Sequence, residues 1–210
     1  MRYFYLHGFL SGPNSNKGKY LSGKFRDLGH ELIRPDLNGG DFENLTISSQ
    51  LQVVHDEIRS SADEAVLIGS SLGAFIAALS AEKYPQVEKL VLLAPALDFV
   101  NRYFNTLSQQ EVSRWKESGY MSLYHYAYEK EMRLGYGMVK DAVKFKNIEF
   151  TRSISALLIH GIYDEVVPSA VSVKYLQENP RASLLFFPSD HSLGDQLENI
   201  WKYIMSFLGL

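Results

Sequence analysis

The chain has 210 residues, of which 46% are hydrophobic and 21% charged, and its net charge is −3. That length suits one domain, or one domain carrying an insertion, with ample apolar material for a core; the scattered lysines and arginines argue against nucleic acid or an anionic membrane surface as the main partner. Cysteine is absent, which excludes disulfides, thiol nucleophiles and thiolate metal sites together and fits a reducing compartment.

The opening stretch, MRYFYLHGF, reads at once as a strand from Tyr3 to Leu6. Its apolar run is too short for a signal sequence, so the expected location is cytoplasmic. HGFLSGPNSN follows as a glycine- and proline-marked loop, then a helix from about Lys17 to Leu28, closed by Gly29. Glu31 to Arg34 is a second strand, ending at Pro35-Asp36. Leu45 to about Ser60 is helical, with Leu51, Val54 and Ile58 on one face. Between Ala65 and Ala81 the chain reads AVLIGSSLGAFIAALSA, without one charge. A membrane-spanning helix needs about 20 apolar residues, so no span is expected here. Ala65–Gly69 is instead a strand buried on both faces, and LGAFIAALSAEKY a helix that stops at Pro85. Lys89–Leu93 is the next strand, after which residues 98–150 break the rhythm. Ile154–Ile159 is a strand, Ser169–Gln177 a helix and Ser183–Phe187 a strand. A last helix places Leu193, Leu197, Ile200, Trp201, Ile204 and Leu208 on one stripe. Such alternation implies about six mostly parallel strands with helices on both faces. Ligands of such sheets gather outside the carboxyl ends of the strands.

GSSLG sits at the turn between the charge-free strand and its helix. Gly-x-Ser-x-Gly in that setting is a nucleophile elbow, which holds its serine in a strained turn with Oγ above the sheet edge. The residues two before and two after must be small because strand and helix approach closely. Here they are Gly69 and Gly73, which makes Ser71 the candidate nucleophile and Ser70 the variable position.

A serine hydroxyl needs a base to take its proton and an acid to orient that base. On this turn the partners follow in the order Ser, Asp or Glu, His. Of six histidines, only His191, in FPSDHSLGD, lies after the last strand, and it is the candidate base. His30 and His55 precede the elbow, and His125 lies in the inserted region. His7 and His160 each end a strand in a His-Gly pair, where a loop-stabilising role is expected. For the acid, HGIYDEVVP puts Asp164 on the loop after strand Ile154–Ile159. Asp98, after the preceding strand, is the fallback; Asp190 adjoins His191, and sequence neighbours rarely face each other correctly. The oxyanion of an acyl-transfer intermediate needs two backbone N–H donors. Leu72, next after the nucleophile, and Phe9, in the loop after the first strand, are the candidates, with Gly8 letting the chain turn tightly.

LHGFLSGP, RPDL, GSSLG, HGIYDEVVP and DHS, in this order, resemble an α/β hydrolase. The chain is similar to the small bacterial esterases of the YqiA/YcfP type over nearly its whole length outside residues 98–150. The resemblance implies a three-layer α/β-hydrolase fold and a serine esterase or thioesterase acting through Ser71, Asp164 and His191. It also implies no metal and no cofactor. The two N-terminal antiparallel strands usual in that fold are missing, so a smaller, wholly parallel sheet is expected.

Residues 98–150 are then a small helical cap within a single domain. They are rich in aromatics, and Phe99, Tyr103 and Tyr124 are the candidate substrate-binding residues. Acidic and basic residues there nearly cancel, so the expected partner is a small apolar ester or thioester. Rival readings are C–C bond hydrolysis or acyl transfer by the same triad, a non-catalytic binding protein of hydrolase fold, and a metal hydrolase using His7, His160 and Asp164.

Overall fold

The computed structural model describes all residues, 1–210. One sheet dominates it, in the order β2-β1-β3-β4-β7-β8, and every pairing is parallel. Its strands are β1 (Arg2–Leu6), β2 (Leu32–Ile33), β3 (Ala65–Ser70), β4 (Val87–Leu93), β7 (Ser155–Gly161) and β8 (Ala182–Phe187). Strand β2 is shorter than its apolar context suggests, because only Leu32 and Ile33 reach the register of Tyr3 and Phe4.

The period-2 alternation of the strands divides the interior in two. Tyr3, Tyr5, Val66, Ile68, Val91, Leu93, Leu157 and Ile159 pack on one side, with Leu21 and Phe25 of α1 (Asn16–Asp27) and Ile200, Trp201 and Ile204 of α8 (Leu197–Leu208). Their neighbours Phe4, Leu6, Leu67, Leu90, Leu92 and Leu158 face the other side. There they meet α2 (Ile47–Arg59), α3 (Leu72–Lys83) and α7 (Ala170–Glu178). Helix α3 is apolar all round and correspondingly buried along its length. The result is three layers, helix–sheet–helix. Leu193 is not on the last helix: it is buried in a left-handed conformation (φ 52°) ahead of a short 3₁₀ turn, and α8 starts at Leu197.

Residues 98–150 depart from the helical cap expected. They hold α4 (Phe99–Thr106), α5 (Gln109–Ser118) and α6 (Gly137–Ala142), but also an antiparallel hairpin of β5 (Tyr120–His125) and β6 (Lys130–Gly135). Alternation explains the hairpin. Tyr120, Ser122 and Tyr124 are exposed, while Met121 and Leu123 are half-buried and His125 is buried. Trp115 of α5 is buried, and its indole N–H donates to the Leu134 carbonyl at 2.8 Å. The hairpin tip docks on the loop after β1, through Tyr126 N–H to the Leu10 carbonyl at 3.1 Å. No helix of the protein is long and apolar enough to cross a membrane.

Candidate active site

Ser71, Asp164 and His191 all lie just beyond the carboxyl ends of strands, after β3, β7 and β8. Ser71 joins β3 to α3 with φ 54° and ψ −117°, a conformation that L-residues rarely adopt. Close approach enforces the flanking glycines. A Cβ on Gly69 would lie 2.5 Å from the Ala74 Cα, and one on Gly73 would lie 2.1 Å from the Leu6 carbonyl oxygen. The elbow is further tied by Ser71 N–H to the Leu93 carbonyl at 2.9 Å and by the Ser71 carbonyl to Ala96 N–H at 3.2 Å. Leu10, Ala94 and Leu193 also have positive φ, and they too stand in loops beyond β1, β4 and β8. Four of the six non-glycine residues with positive φ thus stand at the rim where the candidate residues meet, the others being Glu129 and Asn147 in residues 98–150.

Ser71 Oγ is 3.0 Å from His191 Nε2, and His191 Nδ1 is 2.7 Å from Asp164 Oδ2. An ionised carboxylate can only accept, so Nδ1–H donates to Asp164 and Nε2 is left to accept from the Ser71 hydroxyl. Asp164 has its side chain almost wholly covered, which alone would raise its pKa. Hydrogen bonds reverse that: His160, His191 and the Val167 N–H hold the carboxyl well below the usual carboxylate range. Val166 N–H and Val167 N–H reach Oδ1 at 2.9 and 2.8 Å. His160 Nε2 lies 3.1 Å from Oδ2 and donates to the Val167 carbonyl at 2.9 Å, while its Nδ1 faces Ser172 Oγ at 2.7 Å. The sequence singled out His160 as a loop stabiliser or, in a rival reading, as a metal ligand; it stands directly against Asp164.

The loop after β1 passes over Ser71. A Cβ on Gly8 would lie 3.3 Å from Ser71 Cβ. Leu37 N–H donates to His7 Nε2 at 3.0 Å, so the proton of His7 is on Nδ1, which donates to the Gly8 carbonyl at 3.0 Å. That tautomer makes the 3.4 Å approach of Asp36 to Nε2 a contact rather than an ion pair. With the Gly8 carbonyl turned to His7, the N–H of the same trans peptide, that of Phe9, points the other way. It makes no backbone hydrogen bond. Leu72 opens α3, where the first N–H groups of a helix have no helical partner.

Asp98 is not brought to His191; its carboxylate binds Arg102 Nε at 3.2 Å. Asp190 Oδ1 accepts from Ser192 N–H and Oγ–H at 2.8 and 2.6 Å. Ser70 is buried beside the Tyr5 hydroxyl. Phe99 and Tyr103 of α4 stack at 5.2 Å, and both meet Phe9 edge-on, at 5.7 and 5.5 Å. Tyr124 does not join them: it is exposed on the hairpin, against Tyr126. His7 and His160 have separate partners, and no three His, Asp or Glu side chains cluster so as to hold a metal ion. Lys17 escaped the sequence reading; its ammonium donates to the carbonyl of Ser192, next to His191.

The profile of the Uncharacterised protein family (UPF0227) matches residues 2–209. No curated protein matches the chain in sequence. Among solved structures, alpha/beta hydrolase domain-containing protein 10 from mouse is 23% identical with a TM-score of 0.81, over 98% of this chain and 88% of that one. Est1E from Butyrivibrio proteoclasticus, with ferulic acid bound, is 17% identical with a TM-score of 0.76, over 99% of this chain and 89% of that one. These likenesses establish an α/β-hydrolase fold.

Proposed function

Because the chain belongs to that uncharacterised family and has the α/β-hydrolase fold, we propose that it is a serine hydrolase cleaving carboxylic esters or thioesters. The observation that carries the reading is the continuous relay from Ser71 Oγ through His191 to Asp164, at 3.0 and 2.7 Å, on a strained elbow. Each part of that relay answers a chemical need. His191 Nε2 takes the proton of Ser71 as Oγ attacks the substrate carbonyl, and the imidazolium that forms is stabilised by Asp164. The oxyanion is received by the Phe9 and Leu72 N–H groups, fixed dipoles that need no reorganisation during the reaction. His191 then gives its proton to the departing alcohol or thiol, leaving an acyl group on Ser71. Water, deprotonated by His191, attacks that ester and releases the acid.

The acyl or aryl portion of the substrate would lie against Phe9, Phe99 and Tyr103, whose rings form one apolar wall. Such a wall suits an uncharged small molecule. No metal or cofactor has a part in this scheme.

A fluorophosphonate tests it directly. It should label the protein once, on the peptide containing Ser71, and hydrolyse no further. Ser71→Ala should abolish labelling and lower turnover of p-nitrophenyl esters by several orders of magnitude. Labelling at Ser70, or hydrolysis that survives in Ser71→Ala, would overturn the assignment.

A further inference from the structure

We propose that Lys17 is a positioning residue for His191, holding from α1 the loop that carries the base; the inference rests on the triad reading above. Its ammonium donates to the carbonyl of Ser192 across 175 positions of chain. That peptide is the one immediately after His191, so the bond acts on the backbone that aims the imidazole. The loop has no ladder to hold it. Its other ties are turns of its own, Asp190 Oδ1 with Ser192 and Leu193 N–H with the Asp190 carbonyl at 3.3 Å, a left-handed Leu193 buried in the core, and Tyr163 N–H to the Ser189 carbonyl at 3.0 Å from the loop after β7. Among these ties only the Lys17 ammonium reaches the Ser192 carbonyl, in the peptide next to the base, and it does so from α1.

The charge is kept where it is unfavourable to keep it. Lys17 is in the first turn of α1, at the positive end of the helix dipole. It is also half-buried, and the resulting desolvation draws its pKa down from 10.5 to about 8 even though the charges of Asp190 and Asp164 favour the protonated form. An apolar side chain of equal length would be easier to fold. A locally unfavourable residue at a site is the pattern of a functional constraint.

The unfolded chain keeps this proton up to about 10.5 and the folded protein releases it near 8, so the titration of Lys17 makes stability rise with pH across that window. Activity should fall over the same window, because neutral Lys17 no longer fixes the Ser192 carbonyl as a charge-assisted donor. A merely structural strap would show the same rise in stability but leave kcat unchanged across that window.

The experiment measures kcat and KM for p-nitrophenyl acetate and the fluorophosphonate labelling rate from pH 7 to 10, with the Ser71→Ala rate subtracted. It uses the parent, Lys17→Arg and Lys17→Met. Expected are an alkaline fall of kcat in the parent and a Lys17→Arg that keeps the parental kcat at pH 7.5 without that fall. Lys17→Met should lose about tenfold to a hundredfold in kcat, as a misaimed base does, with KM little changed and a Tm at least as high. Parental kcat in Lys17→Met, or the same alkaline fall in Lys17→Arg, would overturn the proposal while leaving the triad standing. If Lys17→Met does not fold, a parent kcat flat to pH 10 overturns it alone. A parent that neither labels nor hydrolyses overturns the triad reading, and this inference with it.

Discussion

His160 Nε2 lies 3.1 Å from Asp164 Oδ2, the same oxygen that receives His191 Nδ1 at 2.7 Å. Two imidazoles and two backbone amides therefore converge on one carboxylate, so it stays ionised far into acid. Asp164→Asn should lower kcat by several orders of magnitude, because an amide stabilises the wrong tautomer of His191. Asp98→Asn should change it little, since Asp98 serves Arg102. Steady-state kinetics on the two variants decide; equal losses would remove Asp164 from the relay.

Ser71 holds φ 54° at a backbone cost of about 1–3 kcal/mol. Glycine visits positive φ freely. Ser71→Gly should therefore raise the denaturant midpoint by the equivalent of about 1 kcal/mol relative to Ser71→Ala, with both variants inactive. Urea unfolding of the pair is the measurement, and a lower midpoint for Ser71→Gly would mean that the elbow is unstrained.

If Phe9, Phe99 and Tyr103 line the acyl pocket, each buried methylene gains up to about 0.8 kcal/mol, or roughly fourfold in kcat/KM. From acetyl to octanoyl esters the constant should rise over the first few carbons and then level off. Phe99→Ala and Tyr103→Ala should flatten the rise, whereas Tyr124→Ala should leave it unchanged, because Tyr124 is exposed against Tyr126. A flat parent profile would show that this wall does not select acyl groups.

His55 is buried against Tyr84, and its Nε2 has no partner. Burial, with Lys83 and Arg59 nearby, takes its pKa from 6.5 down to about 4. The unfolded chain binds this proton first, so stability should be lost as pH falls from 6.5 to about 4, by about 3 kcal/mol. His125 adds to the same slope: burial lowers its pKa, and neither ring nitrogen has a partner. It packs on Phe42 at 4.9 Å and Tyr128 at 4.5 Å. His55→Phe should flatten the acid slope, and His125→Phe should stabilise outright by about 1 kcal/mol or more, since the ring contacts remain and two orphan nitrogens go. Unfolding free energies from pH 4 to 8 test both, and an unchanged slope in His55→Phe would show that another group titrates.

Features set by local physics could be read from the residues alone. The six strands of the sheet are short apolar runs between glycine- and proline-marked turns, so five were legible nearly to the residue, and β2 only in part. The elbow was equally plain, because strand, glycines, serine and helix constrain one another within a few residues. Elsewhere local signals ran out. The β5–β6 hairpin has the period-2 pattern, but its turn lacks Asn-Gly or Asp-Gly and instead puts Glu129 at positive φ, while outward-facing tyrosines obscure which face is buried. Asp164, Asp98 and Asp190 stood as alternatives because all follow strands or adjoin the base. Which carboxylate approaches His191 depends on long-range packing, since the contacts that meet at the imidazole join residues 27 and 120 positions apart. Lys17 is further still, bound to Ser192 across 175 positions. No periodicity or spacing records such a contact. It exists because parallel strands bring the ends of distant segments to one edge of the sheet, and chain closure, not local preference, sets who meets there.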